Sequence, residues 1–191
     1  MKLPSLAGIL LCLACLSTPG TAAEAPPAKP VRILHVMSYH SPWRWTDGQF
    51  EGFKAGLGDV AAEYRTFQLD TKHRSRPEQM AERGRAARAL VEAWKPDLIY
   101  TTDDDAQELV TRHYLDTPVK LVFSGVNKAP STYGFDQANN VSGVIEHEHF
   151  AESVRLLKRI VPSLRRLVVV LDDAPMWEPV VARMKAAQLP E

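Results

Sequence analysis

The sequence predicts an α/β chain built on a doubly wound parallel sheet, and two observations carry that prediction. Short apolar runs alternate along the chain with segments of helical periodicity, the pattern of a parallel sheet covered on both faces. Within residues 97–127, DLIYTTDDDAQELVTRHYLDTPVKLVFSGVN, two such runs each end in a polar loop. In a doubly wound sheet, ligands occupy the crevice beyond the carboxyl ends of the strands. The loops Thr102-Asp103-Asp104-Asp105 and Ser124-Gly125-Val126-Asn127 are therefore where function is expected.

The first residues are set apart from this alternation. Lys2, an apolar run over residues 6–16 and small residues through Thr21-Ala22-Ala23 have the layout of a secretory signal peptide. Residues 1–23 are read as that peptide, cleaved after Ala23, with Ala22 and Ala25 as alternative positions. The apolar run is too short to span a bilayer comfortably. Cys15 after Leu13-Ala14 faintly resembles a lipoprotein box, but Cys12 stands where that box wants an aliphatic residue. Both cysteines fall in this segment, so the exported chain is expected to carry no disulfide, thiolate metal site or cysteine nucleophile. Residues 24–30, EAPPAKP, form a flexible Pro/Ala leader.

The elements then follow in order. Residues 31–37 read as a first strand. A helix from Thr46 to about Leu57 places Phe50, Phe53 and Leu57 on one face. Residues 64–69 form a second strand. Pro77 opens a long helix with Met80, Ala87, Val91 and Trp94 as its buried stripe and Arg83, Arg85 and Arg88 outside. Pro96 stops it. Strands at 97–101 and 119–123 flank a helix from Asp104 to about His113. APSTYGFDQANN, rich in turn formers, is loop. Residues 141–145 form a fifth strand. Phe150, Val154, Leu157 and Val161 mark a helix ended by Pro162. RLVVVL at 166–171 is the most strand-like run in the chain, and residues 176–187 are helical.

Removing residues 1–23 takes away one basic residue, Lys2, and leaves 22 against 23 acids. That balance argues against nucleic acid or an anionic membrane surface as a main partner. The remaining length suffices for one domain with a real core.

With strand order 2-1-3-4-5, the loop after the first strand lies beside the loop after the third at the switch point. That first loop, residues 38–47, contains Tyr39, His40, Trp43 and Trp45, the aromatic and polar mixture of a small-molecule pocket. Trp43 or Trp45 can stack on an aromatic ligand or meet a cation over its ring; packing over the core is the competing account. Asp103, Asp104 and Asp105 open a helix, where capping explains Asp without a ligand. Asp103 is the expected partner for a ligand ammonium or hydroxyl. Asp104 is a further candidate, although capping alone is the stronger account for it and for Asp105. Ser124 and Asn127 end the fourth strand on the same edge, where an ordinary turn is the alternative.

Glu146-His147-Glu148-His149 invites a zinc reading, but a spacing of two aligns the histidines only on an extended strand, and no further ligands stand near in sequence. No GxSxG, HExxH, GxxxxGK[ST] or GxGxxG appears. Asp172-Asp173 follows a predicted strand without a nucleophile nearby. The expectation is a binding protein rather than an enzyme, with no cofactor and no metal.

The order of these signals resembles the substrate-binding proteins of ABC transporters, in the type I periplasmic-binding-protein group with tryptophan- and tyrosine-binding members. DLIYTTDDDAQEL is similar to that family's strand, polar turn and Ala-Gln pair. VKLVFSGVN is similar to its next strand, Asn140-Val141-Ser142-Gly143-Val144 to an Asn-Val-Thr-Gly-Val turn, and Ile160-Val161-Pro162-Ser163 before RLVVVL to the entry of a second lobe. SYHSPWRWTDG at 38–48 looks more like the related sensor domains of histidine kinases. The resemblance covers essentially the whole exported chain. It implies a first lobe at 31–145 and, over 146–191, a crossover with the first βα unit of an incomplete second lobe. It also implies a periplasmic location, a small organic ligand such as an aromatic amino acid, an ABC permease as partner, and Glu146 as a ligand contact where the chain crosses between lobes. The alternative is an extracytoplasmic ligand sensor.

Overall fold

A computed structural model describes residues 29–172 and 174–189. The expected signal peptide, with Cys12, Cys15 and the cleavage positions Ala22, Ala23 and Ala25, lies outside the described residues, as do the first residues of the leader, Asp173 and the last two positions. The elements run β1 (Val31–Met37), α1 (Arg44–Leu57), β2 (Ala62–Gln68), α2 (Pro77–Trp94), β3 (Leu98–Thr102), α3 (Asp103–Leu109), β4 (Lys120–Val126), β5 (Val141–Ile145), α4 (Phe150–Ile160) and α5 (Trp177–Ala186). The sheet order is β2-β1-β3-β4-β5, and every pairing is parallel. This is the doubly wound α/β architecture that the alternation predicts.

Burial explains the order. From Ile33 to Met37 every residue of β1 is buried, as expected of a central strand covered on both faces. β2 and β5 keep exposed positions and form the edges. The main core joins Leu34 and Val36 of β1 to Ile99 of β3, Leu121 of β4, Ala87, Val91 and Trp94 of α2, and Ala106 of α3. α2 ends where predicted: Lys95 adopts a left-handed conformation, its N–H donates to the Val91 carbonyl at 2.8 Å, and Pro96 follows. Among the described residues, no helix is long and apolar enough to cross a membrane.

Several predicted features are corrected. Arg83 and Arg88 do not project into solvent from α2. Arg83 donates to the Gln68 carbonyl and lies 4.5 Å from the Phe67 ring centroid, and Arg88 donates to the Leu109 carbonyl. Their aliphatic stems cover the core while the guanidinium groups satisfy chain ends. α3 stops at Leu109, and Thr111–Tyr114 continues as a single 3₁₀ turn. There the Thr111 hydroxyl turns inward to Gln107 Oε1 at 2.8 Å and Thr101 Oγ1 at 2.9 Å. The loop after β4 contains two 3₁₀ turns, Pro130–Tyr133 and Phe135–Gln137, and buries Tyr133 and Phe135 on Phe123 and Val126 as a second small core.

The run at 166–171 is the largest correction: it forms neither strand nor helix. Val168 and Val170 are 73% and 87% exposed. A strand needs a second backbone edge to satisfy its N–H and C=O groups. Among the described residues no such edge pairs with this segment, so β propensity alone does not make it one.

Candidate ligand-binding site

The parallel register sets the carboxyl ends of β1 to β4 in a row. Met37 of β1 stands opposite Gln68 of β2 on one side and Thr102 of β3 on the other, and Thr102 stands opposite Ser124 of β4. The loops that follow therefore share one rim. Ser38 joins them: its hydroxyl donates to the Thr102 carbonyl at 2.6 Å and accepts the Ala106 N–H at 2.8 Å. The Ser38 carbonyl accepts from the backbone N–H and the hydroxyl of Thr71, at 2.9 and 3.0 Å.

This arrangement replaces the predicted capping role of the three aspartates. Thr102 occupies the cap position of α3 without a side-chain cap bond, and the free Ala106 N–H is met by Ser38 from another loop. The aspartates face elsewhere. Asp105 accepts the Thr71 hydroxyl at 2.5 Å. Asp104, buried, accepts the N–H groups of Asn127 and Lys128 at 3.0 and 3.1 Å and the Tyr133 hydroxyl at 2.7 Å, which pins the exit of β4.

Asp103 takes a left-handed conformation, φ 64°, and its carboxylate accepts from Trp45 Nε1 at 2.7 Å and from Gln49 Nε2 at 3.3 and 3.4 Å. Burial pushes its carboxyl up to about 7, opposed by the Trp45 and Gln49 hydrogen bonds and reinforced by the negative charges of Glu146 and Asp104. Burial likewise raises Glu146, whose Oε2 accepts the Asn127 side-chain amide at 3.3 Å. Among the described residues neither Asp103 nor Glu146 forms an ion pair, although Lys72 lines the same cavity.

Asp103 and Glu146 line a cavity of about 260 Å³ with Tyr39, Trp43, Trp45, Lys72, Met176 and Trp177. That volume falls just below the usual range of ligand pockets, roughly 300–1,000 Å³. The Tyr39 hydroxyl, raised by burial and by the surrounding carboxylates, stays protonated and donates to the Met176 sulfur at 3.1 Å. The Lys72 ammonium lies 5.1 Å from the Tyr39 ring centroid and 3.2 Å from Asp172 Oδ2, and the other oxygen of that carboxylate, Oδ1, accepts Trp177 Nε1 at 2.6 Å. Arg183 of α5 holds this side in place with a two-armed pair to Glu148, at 2.7 and 2.8 Å, and a 3.0 Å bond to the Asn127 carbonyl.

Of the residues expected from sequence, Tyr39, Trp43, Trp45, Asp103 and Glu146 converge on this cavity. His40 stacks on Trp43 with ring centroids 5.5 Å apart but does not line the cavity. Ser124 is held between Tyr100 and Gln49, at 2.7 and 2.6 Å. Asp104 and Asn127 are spent on the β4 exit and on orienting Glu146. Lys72, Met176 and Trp177 were not anticipated. Lys72 had a readable signal, because it follows β2, whose carboxyl end neighbours that of β1; Met176 and Trp177 had none beyond helical periodicity. In the EHEH segment, Glu146 faces the cavity, Glu148 is taken by Arg183, and His147 and His149 are exposed.

No protein-family model matches the sequence, and no curated protein matches it. Solved structures do. A conserved domain protein from Vibrio cholerae O1 biovar El Tor aligns over 83% of this chain and 52% of its own, with TM-score 0.59 and 16% identity. An ABC domain from Streptococcus pneumoniae in complex with L-Trp aligns over 83% and 53%, with TM-score 0.60 and 15% identity. A substrate-binding protein with adhesive properties from Clostridium difficile, in a ligand-free open form, aligns over 70% and 44%, with TM-score 0.52 and 17% identity. The chain therefore has a periplasmic-binding-protein-like fold and spans about half the length of these structures.

Proposed function

We propose that this chain is an extracytoplasmic solute-binding protein that captures a small organic molecule bearing an ammonium group and presents it to an ABC permease. One observation carries the reading: the rings of Tyr39, Trp43, Trp45 and Trp177 surround a cavity whose polar groups include the carboxyls of Asp103 and Glu146. Aromatic faces and desolvated carboxylates are the groups that hold an organic cation. The Lys72 ammonium at the same wall suits a ligand carboxylate, so an aromatic amino acid satisfies every group named. The fold supports this reading, and so does the L-Trp bound to the Streptococcus pneumoniae structure.

Residues 31–145 are read as one lobe of a two-lobe binding protein, with residues 146–191 crossing toward the second. α5, which brings Met176 and Trp177 to the cavity, then belongs to the element that moves when lobes close on a ligand.

Calorimetric titration with L-Trp, L-Tyr and a deaminated analogue, indole-3-propionate, tests the reading. The amino acids are expected to bind and the deaminated analogue to lose at least tenfold, because it leaves Asp103 and Glu146 without a cation. Equal affinity for L-Trp and its deaminated analogue, or binding of none of a broad panel of amino acids and amines, overturns it.

A further inference from the structure

Beside Trp43, outside the cavity, three side chains of metal-ligating type converge. Ligand atoms of His40, Asp70 and His73 all lie within 4.8 Å of one another. His40 Nδ1 is 3.8 Å from Asp70 Oδ1, and His73 Nδ1 is 2.7 Å from the same oxygen. The backbone builds this grouping. Asp70 follows β2 in a left-handed conformation, φ 59°, and its carbonyl accepts the N–H groups of His73 and Arg74 at 3.1 and 2.9 Å, which folds His73 back over it. His40 arrives from the β1 exit loop, its ring 4.6 Å from that of His73 and tilted 42° to it.

A second observation points to a ligand. His40 Nδ1 is buried and has no hydrogen-bond partner. An orphaned buried ring nitrogen is unfavourable unless something occupies its lone pair or takes its proton. Asp70 Oδ1 is the polar atom in front of it, beyond hydrogen-bond distance but across a gap suited to an ion. Arg74 Nε sits 3.5 Å from Asp70 Oδ2, an outer partner that leaves Oδ1 toward the imidazoles.

We propose that His40, Asp70 and His73 bind one zinc-class dication, which ties the exit loops of β1 and β2 together beside the ligand cavity. Two imidazoles and one carboxylate suit zinc with bonds of about 2.0–2.1 Å, and ligand atoms around a tetrahedral ion at that bond length stand roughly 3.4 Å apart. An ion replaces the 2.7 Å His73 Nδ1–Asp70 Oδ1 hydrogen bond, so His73 turns away to that spacing while His40, at 3.8 Å, moves in. Two nitrogen donors disfavour calcium and magnesium, which take oxygen. Water fills the fourth position. Occupancy fixes Trp43 through its stack with His40 and Lys72 through its neighbour His73, and both Trp43 and Lys72 line the cavity. The inference is independent of the identity of the organic solute.

The test is calorimetric titration of the full chain, stripped with chelator, with Zn²⁺ alone. One equivalent is expected to bind, and excess Mg²⁺ is expected not to displace it. His73→Ala, whose side chain is largely exposed, is expected to keep the wild-type circular dichroism and to lose at least tenfold in affinity; Asp70→Asn follows it. Cobalt(II) in the wild-type site is expected to show the visible absorption of a four-coordinate ion, lost in His73→Ala. The control is the double variant His147→Ala with His149→Ala, which keeps full affinity. No saturable binding, unchanged affinity in His73→Ala, or loss in the control instead overturns the site.

Discussion

Trp45 Nε1 donates to Asp103 Oδ1 across 2.7 Å, joining two residues 58 positions apart in sequence. The bond ties the first turn of α1 to the exit of β3, the two loops that meet at the switch point of the sheet. It orients an aromatic face and a carboxyl group toward the same cavity. It also supplies the main opposition to the burial that pushes the Asp103 carboxyl upward. An indole held by hydrogen bonding loses less freedom when a ligand docks, so preorganisation contributes to affinity here.

Asp103 titrates near neutrality, and binding is expected to follow it. An ammonium ligand favours the charged carboxylate, so affinity rises as pH increases through about 7. The effect on stability has the opposite sign. Because the folded-state value is raised, the unfolded chain ionises first, and stability is highest below the unfolded value of 3.8 and falls as pH rises toward about 7. The slope of this contribution approaches roughly 1.4 kcal/mol per pH unit. Asp103→Asn removes both dependences. Calorimetry and urea unfolding between pH 4.5 and 8 check them; a variant that keeps the wild-type pH profile refutes the assignment.

His35 gives the complementary acid response. It is wholly buried in β1, stacked on the Tyr100 ring at 4.8 Å and tilted against the Phe50 ring at 4.5 Å, and desolvation lowers it to about 3, with a smaller contribution from Lys54. The imidazole is therefore neutral in the fold. Its contribution is present above the unfolded value of 6.5 and is lost as pH falls toward about 3. His35→Phe, which keeps a ring in the stack, is expected to reduce the loss of urea stability between pH 6.5 and 4. Equal acid sensitivity in both proteins counts against it.

Gly125 at the exit of β4 has φ 68°, and a Cβ there would meet Gln49 Oε1 at 2.7 Å and Asp103 Oδ1 at 3.1 Å. Gly125→Ala is expected to cost about 1–2 kcal/mol from the left-handed backbone. It is also expected to weaken ligand binding, because Gln49 must move and Gln49 helps hold Asp103. Unfolding curves read the first effect and titration the second. A variant equal to wild type in both measures sinks the prediction.

Arg183 links α5 to the sheet through Glu148 and the Asn127 carbonyl. Truncation to Ala frees the side of the cavity that carries Met176 and Trp177 while leaving the strands paired. Ligand affinity is expected to fall several-fold with little change in unfolding of the sheet. Charge alone is not sufficient, because the pair is two-armed, so Arg183→Lys recovers only part of the loss. Full recovery by Lys speaks against the two-armed role.

β1 was legible because a central strand covered on both faces is mostly apolar, and it occupies its predicted 31–37; β5, an exposed edge strand, also occupies its predicted 141–145, bounded by turn formers rather than marked by burial. The exit of β4 was less legible. The predicted strand stops at Phe123, whereas β4 continues to Val126 through Ser124 and Gly125, whose turn-forming character hides their place in the ladder. The aromatic loop after β1 was readable as a pocket wall, and Trp43, Trp45, Asp103 and Glu146 do meet there. Asp103 was the aspartate expected to face a ligand, and it does; for Asp104 the sequence offered capping, and the structure gives it another role. One rotation along the helix start turns its carboxylate to Asn127, Lys128 and Tyr133 instead.

By itself the sequence determined the alternation of strands and helices, the parallel sheet and the rim on which a ligand site belongs, because these follow from periodicity and the short-range preferences of each residue. The tertiary structure decided what those signals leave open: whether 166–171 finds a partner edge, which aspartate faces the cavity, and that Lys72, Met176 and Trp177 complete its wall. Each of these depends on groups tens of residues apart competing for the same hydrogen bond or the same buried space. That competition is settled by packing, where desolvation makes every unpaired polar group costly, and local sequence carries no record of it.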